Sequence, residues 1–99
     1  MASEPRVLCE TPTPGKQPVT IPEWKYRAVA DAILAVVPVE EPGIPFQELP
    51  DAVADRLPQE TRQRLGSVAW HVTTVKLDLE VKGKVRRLKA GGRQHLVRG

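Results

Sequence analysis

Proline and glycine residues divide this chain into segments that restrict the folds open to it. Pro38, Pro58 and Gly83 each follow a stretch in which apolar residues recur at helical spacing. Proline stops a helix because its ring clashes with the preceding turn, and glycine readily adopts the left-handed conformation that ends one. The spacing predicts three helices, over residues 22–37, 47–57 and 68–81. A chain of 99 residues has room for one hydrophobic core, so we expect a single folded domain.

Short strands are predicted between and after these helices. Residues 43–46 contain a proline and fit a short edge strand, where no ladder donor is needed. After the third helix, residues 84–88 and 94–97 are expected to pair as strands. The paired glycines of residues 89–93 suit the turn between them.

This order of elements predicts an α+β fold of the winged helix-turn-helix type, with three helices and a C-terminal β-hairpin as the wing. Residues 59–65 are expected to add a further helical turn, so the connection to the third helix is longer than is usual in a helix-turn-helix. Val85 and Leu88 cannot share one face of a regular strand, and we therefore expect a bulge or a loose strand end there.

Residues 1–19 are expected to form a proline-rich arm that precedes the winged-helix domain of residues 20–99. Four prolines and a glycine exclude a helix or a central strand from this segment. Two alternatives remain: the arm docks on the domain through Val7, Leu8 and Val19, or it is disordered.

Three stretches resemble a family of small uncharacterised bacterial proteins. They are Thr-Pro-Thr-Pro-Gly-Lys at 11–16, Ile-Pro-Glu-Trp-Lys-Tyr at 21–26 and Gly-Ser-Val-Ala-Trp-His-Val-Thr-Thr-Val-Lys-Leu-Asp-Leu-Glu at 66–80. The similarity extends over nearly the whole chain, and the last stretch is its most specific part. The resemblance implies a winged-helix fold. It implies little about function, because the family has no established activity.

Charge is distributed unevenly along the chain. Residues 1–58 carry a net charge of −4 and residues 59–99 a net charge of +7. Seven cations and no acidic residue lie between positions 82 and 98: Lys82, Lys84, Arg86, Arg87, Lys89, Arg93 and Arg98. Such an array suits a phosphate backbone, which cations hold without reading sequence. It also suits a solvated strand edge that lysine and arginine protect from pairing.

The predicted helix over residues 68–81 is apolar on two sides. The residues expected to face the core are Val68, Val72, Val75 and Leu79. On the opposite side Trp70, Leu77 and Val81 offer none of the bidentate donors that read base edges. We expect this side to meet a partner surface: the arm folded back, a second copy in a homodimer, or thymine methyl groups in a DNA groove. Four aromatic residues are expected to anchor the core: Trp24, Tyr26, Phe46 and Trp70.

The residue pattern predicts no catalytic, cofactor or metal site. One cysteine and two histidines lack the spacing of a zinc site. His71 and Asp78 are two helical turns apart, and Ser67 fits a helix cap better than a nucleophile. The chain shows no secretory leader and no stretch approaching about 18 apolar residues. We therefore expect a cytoplasmic protein that is not an enzyme and has no evident small-molecule substrate.

Two functions remain as hypotheses. The first is a winged-helix protein, a transcriptional regulator, that holds double-stranded DNA mainly by its phosphates. The predicted nucleic-acid contacts are Thr73, Lys76, Lys82, Lys84, Arg86, Arg87, Lys89 and Arg93. The second is a protein-interaction or dimerisation module that uses Trp70, Leu77 and Val81 and binds no DNA.

Overall fold

The computed structural model describes residues 5–13 and 15–99. The described residues form four α-helices and two small antiparallel sheets, an α+β architecture. The elements are β1 (Arg6–Cys9), β2 (Val19–Pro22), α1 (Glu23–Val36), β3 (Ile44–Pro45), α2 (Leu49–Arg56), α3 (Gln59–Leu65), α4 (Val68–Val81), β4 (Val85–Ala90) and β5 (Arg93–Arg98). A short 3₁₀ turn, Phe46–Glu48, leads into α2. Residues 1–4 and Pro14 of the predicted arm lie outside the described residues.

The described part of the arm forms strand structure with the residues that follow it. β1 pairs antiparallel with β2, from Arg6 opposite Pro22 to Cys9 opposite Val19. We call β1, β2 and the loop between them the arm hairpin. β2 crosses position 20, where we expected the domain to begin. Of the residues expected to dock on the body, Leu8 is exposed, Val7 is half-buried, and Val19 is 39% exposed and borders a cleft beside α4. The buried residues of the arm hairpin are Cys9 and Ile21.

The second sheet has the strand order β3-β5-β4, so β5 is central and β4 is an edge strand. β4 and β5 pair without interruption from Val85 opposite Arg98 to Ala90 opposite Arg93. We call these two strands, their turn and the preceding residue, Lys84, the basic hairpin. Its two turn residues, Gly91 and Gly92, have φ angles of +59° and +77°, and a type I′ turn requires positive φ at both positions. The glycine-turn prediction is confirmed.

The predicted bulge in the basic hairpin is absent from these strands. Val85 is buried in the core, whereas Leu88 lies on the other face of the sheet, directly opposite His95. The two apolar residues serve different faces of a regular strand. The expectation that they had to share one face was the error.

Helix α4 spans the predicted residues, Val68 to Val81. Ser67 caps its first turn, because the Ser67 side-chain oxygen accepts the Trp70 backbone N–H at 3.1 Å. Gly83 follows its end at a φ of +75°. The predicted turn over residues 59–65 is also confirmed, as α3.

The core is aliphatic. Its fully buried side chains include Val29, Ile33, Leu49, Val53, Leu65, Val72, Val75, Leu79 and Leu96. The expectation that four aromatic residues anchor the core is confirmed for two of them: Tyr26 and Phe46 are half-buried and pack against the core. Trp24 is half-buried and Trp70 is 48% exposed, and neither belongs to the core cluster. Each of the three half-buried rings has a lysine or arginine near its face, 5.0, 4.4 and 5.2 Å from the ring centroid for Trp24, Phe46 and Tyr26.

Candidate nucleic-acid interface

Helix α4 contacts the other three helices and both hairpins. It packs against α1 and α2 through its core-facing side, and β1 and β4 lie along its two flanks. The side of α4 opposite the core is partly open to solvent. Thr73, Trp70 and Val81 are exposed there, and Leu77 is half-buried.

The arm hairpin covers part of this side of α4. The backbone N–H of Glu10 donates to a carboxylate oxygen of Asp78 at 3.0 Å. Residues of the arm hairpin and of α4 line a cleft of about 150 Å³ between them. Its lining residues are Cys9, Glu10, Thr11, Lys16, Gln17, Val19, Trp70, Thr74 and Leu77. One of the three partner surfaces that we considered, the arm, therefore lies against Leu77, while Trp70 stands at the edge of the cleft.

Trp70→Ala is expected to lower the free energy of unfolding by about 1–2 kcal/mol, less than the roughly 3–5 kcal/mol lost when a fully buried large aromatic is removed. The reason is that Trp70 is half exposed and contacts mainly the cleft and the edge of His71. Thermal melting at two protein concentrations measures this. A larger loss, or melting that depends on concentration, would contradict it and would place Trp70 in an interface between copies.

Lys76 does not lie on the surface, and the prediction that it contacts nucleic acid is wrong. Only 3% of Lys76 is exposed, and its ammonium pairs with Glu80 at 3.1 Å and lies 4.4 Å from the Phe46 ring centroid. Burial, partly offset by the bond to Glu80, lowers the pKa of Lys76. A helical wheel places Lys76 beside Thr73, but it cannot show that α2 and its preceding turn cover that flank.

Glu80 also binds Arg87 of the basic hairpin. Arg87 Nε lies 2.5 Å from one carboxylate oxygen and its terminal nitrogen 3.1 Å from the other. This fork-to-fork pair is the strong geometry for arginine and carboxylate, and it raises the pKa of Arg87. Lys76, Glu80 and Arg87 thus form a triad that attaches the basic hairpin to α4.

A second polar cluster attaches the arm hairpin to the other flank of α4. Asp78 is fully buried and accepts hydrogen bonds from the Tyr26 hydroxyl at 2.5 Å, from the Lys82 ammonium and from the Glu10 backbone. Burial alone would raise the pKa of Asp78, but these three donors lower it below its usual value. Burial and the bond to Asp78 raise the pKa of Tyr26 to about 12.

The pattern of residues along the chain did not reveal this cluster. It indicated Asp78 on a polar strip and Lys82 among the nucleic-acid contacts, whereas Lys82 donates to Asp78. The spacing of Asp78 and Lys82, one helical turn apart, was the available signal. The Tyr26 and Glu10 contacts join residues far apart in sequence, and no local pattern predicts them.

The seven cations of residues 82–98 fall into two groups. Lys82, Arg86 and Arg87 have carboxylate partners in Asp78, Glu41 and Glu80. The other four are exposed, and none has a carboxylate within 4.0 Å among the residues that the structure describes: Lys84, Lys89, Arg93 and Arg98. We call these four the unpaired cations.

The unpaired cations lie on both faces of the basic hairpin. Lys89 and Arg98 share the face of Val85, which turns towards α4, and Arg93 lies on the opposite face. Lys89 and Arg93 flank the glycine turn. The tip therefore carries positive charge on two sides with no bulky side chain at the turn itself, and this shape can approach a phosphate backbone closely.

The described residues hold no group of three or more His, Cys, Asp or Glu side chains placed to bind a metal ion. Burial and the neighbouring Asp78 raise the pKa of the Cys9 thiol to about 11, so this cysteine is protonated at neutral pH. His71 Nδ1 lies 2.7 Å from the Ser67 carbonyl oxygen, within its own helix. None of the helices in residues 5–13 and 15–99 is long and apolar enough to cross a membrane.

Comparison with known proteins identifies a family but no activity. No curated protein and no solved structure matches the chain. A family model described as a family of unknown function (DUF6958) matches residues 6–96. The match begins with β1 and ends within β5, so it includes the arm hairpin, all four helices and the basic hairpin. The chain therefore belongs to this family of unknown function.

Proposed function

We propose that this protein is a winged-helix protein that binds double-stranded DNA through its phosphates, with the basic hairpin as the wing. The observation that carries the proposal is the set of four unpaired cations on one hairpin. No acidic residue occurs between Val81 and Gly99. Charges held this way attract a polyanion, because no neighbouring carboxylate has to be displaced first.

The order of the elements supports the winged-helix assignment. A helix, a short strand, two further helices, the long helix α4 and a hairpin follow one another, and the short strand pairs with the last strand of the hairpin. In this arrangement α4 occupies the place of the helix that a winged helix presents to DNA. The extra helix α3 is a departure from the usual three-helix pattern.

Recognition through this surface is expected to depend weakly on sequence. Thr73 is the exposed polar residue on the open side of α4, and Trp70 and Val81 beside it have no donor pair for a base edge. The arm hairpin also occupies one edge of this side. Affinity is then left to phosphate contacts, which position the protein and carry no sequence information.

Salt dependence tests the proposal. If the four unpaired cations each contact a phosphate, log K should fall against log salt with a slope of about −3 to −4. Lys89→Ala with Arg93→Ala should flatten that slope by about two units. Arg6→Ala with Arg56→Ala is the matched control: it removes the same net charge from exposed residues outside the basic hairpin, and it should change the slope much less.

Two outcomes would contradict this proposal. One is the absence of binding to random duplex DNA at about 50 mM salt, where phosphate contacts are strong. The other is an equal change of slope in both double variants, which would show that the salt dependence follows the net charge of the protein and not the position of the cations. Circular dichroism of each variant, compared with the parent, establishes that the fold is retained.

A second function, a protein-interaction module, is favoured by one observation. Trp70 and Val81 are exposed apolar residues on the same side of α4, next to the cleft under the arm hairpin. A large exposed aromatic beside a cleft is a common anchor in protein interfaces. Under this alternative the unpaired cations protect the exposed edge strand β4 from pairing, and DNA binding is absent.

A further inference from the structure

A second cationic cluster lies at the opposite end of α4 from the basic hairpin. Trp24, in the first turn of α1, lies with its ring centroid 5.0 Å from the Arg64 guanidinium carbon and 5.6 Å from the Lys25 ammonium. Lys25 also donates to the Leu65 carbonyl at 3.4 Å, at the end of α3. We call Trp24, Lys25 and Arg64 the Trp24 cluster.

The two cations of this cluster are held in place without a counter-ion. Among residues 5–13 and 15–99, neither has a carboxylate within 4.0 Å. Glu23, the nearest acid in sequence, pairs with Arg27 at 2.7 Å. Glu60 stands one turn before Arg64 in α3, yet the guanidinium lies over Trp24 and the two do not pair. Two like charges beside one ring repel each other, and an anion between them would relieve that repulsion.

The Trp24 indole holds the two cations in position before a ligand binds. A cation over an aromatic face is attracted by the ring, and the Leu65 carbonyl fixes the Lys25 ammonium further. Side chains ordered in advance lose less entropy when they bind. The four unpaired cations of the basic hairpin, by contrast, are not fixed in this way.

The two charged sites attach near opposite ends of α4. α3 leads directly into the start of α4 at Val68, and the basic hairpin attaches to α4 at Glu80. Twelve residues of helix separate these points, about 18 Å at 1.5 Å per residue. Attachment points that far apart allow the two sites to contact different phosphates of one duplex.

We infer that the Trp24 cluster is a second phosphate-binding site, which binds the DNA backbone at a phosphate other than those bound by the basic hairpin. This inference rests on the proposed function. It assigns Lys25 and Arg64 to contacts that the charge pattern of the sequence did not predict, and it makes the DNA interface bipartite. α4 then lies between two phosphate contacts and reads few bases.

The test uses the whole chain with Trp70→Phe, so that Trp24 is its one tryptophan. Addition of random duplex DNA should change the emission of Trp24, because a phosphate draws the two cations away from the ring. In the salt titration, Lys25→Gln with Arg64→Gln should flatten the slope by up to about two units. That change should add to the change made by Lys89→Ala with Arg93→Ala, since the two sites share no residue.

The control variant is Arg6→Gln with Arg56→Gln, which removes the same charge from exposed residues outside both sites and should leave the slope nearly unchanged. Two results together overturn this inference while leaving the proposed function intact: the Trp24-cluster variant keeps the slope of the parent, and the emission of Trp24 does not respond to DNA. In that case the parent still binds duplex DNA and the basic-hairpin variant still flattens the slope. Failure of the parent to bind any duplex overturns the proposed function and this inference with it. The emission measurement needs no change to Lys25 or Arg64, so it decides the matter even where the double variant folds poorly.

Discussion

Asp78→Ala is expected to lower the free energy of unfolding by about 2–4 kcal/mol, because two part-buried donors lose their acceptor and each costs roughly 1–3 kcal/mol when left unpaired. Asp78 is fully buried and accepts from Tyr26, Lys82 and the Glu10 backbone. Its removal leaves the Tyr26 hydroxyl and the Glu10 N–H without their acceptor. Because the Glu10 bond joins β1 to α4, the arm hairpin should also become more susceptible to proteolysis.

Urea unfolding followed by circular dichroism measures this loss. Asp51→Ala is the matched control, since Asp51 is an exposed carboxylate on α2, and it should change stability by no more than about 0.5 kcal/mol. A loss below about 1 kcal/mol for Asp78→Ala would contradict the prediction, because removing a buried acceptor of three hydrogen bonds should lower stability by more than that.

The same carboxylate predicts how stability responds to acid. Although burial opposes it, the three donors lower the pKa of Asp78 in the folded protein, whereas in the unfolded chain it is near 3.9. The contribution of Asp78 is therefore fully present above about pH 4 and is lost as the pH falls through the folded value. Asp78→Asn should lose this part of the acid sensitivity and keep the rest.

Gly43→Ala is expected to destabilise the protein by about 3–4 kcal/mol, through backbone strain and overpacking together. Gly43 has a φ of +77°, and a Cβ atom there would stand 1.9 Å from the Leu96 carbonyl oxygen. The obstacle is backbone of the central strand β5, which cannot rotate away as a side chain would. The loop before β3 would have to move and pull Ile44 away from its partner Leu96.

Gly83→Ala separates the two causes of that effect. Gly83 has a φ of +75°, almost the same as Gly43, but a Cβ atom there meets nothing within 4 Å. It should cost only the conformational strain, about 1–2 kcal/mol. Equal losses in the two variants, measured by urea unfolding, would show that β5 yields to the new methyl group and would refute the steric argument.

Features of this fold that depend on neighbouring residues could be predicted, and those that depend on distant ones could not. Ser67 and Gly83 mark the ends of α4, and the paired glycines mark the hairpin turn, because caps and turns are set within a few residues. The Asp78 cluster joins residues 52 and 68 positions apart. Such contacts follow from how α1, β1 and α4 pack, which no spacing within one segment reveals.

The candidate site shows the same division. A count of charges identified the basic hairpin but could not separate the cations that have carboxylate partners from the unpaired cations. A helical wheel assigned Lys76 to an open flank, although α2 and its preceding turn bury it. Trp24 was expected in the core, and its position at the rim beside Arg64 depends on where α3 ends relative to α1.

The triad of Lys76, Glu80 and Arg87 affects what a titration with salt can measure. The side chains of Lys76 and Glu80 are nearly inaccessible to solvent, and ions screen such pairs far less than they screen charges on the surface. Because Glu80 is held in this way and Val85 and Leu96 of the hairpin are buried in the core, the basic hairpin should keep its orientation on α4 at salt concentrations that release a polyanion. The change of apparent affinity with ionic strength then reports the number of counter-ions released from the DNA. A change in the orientation of the basic hairpin contributes little to it.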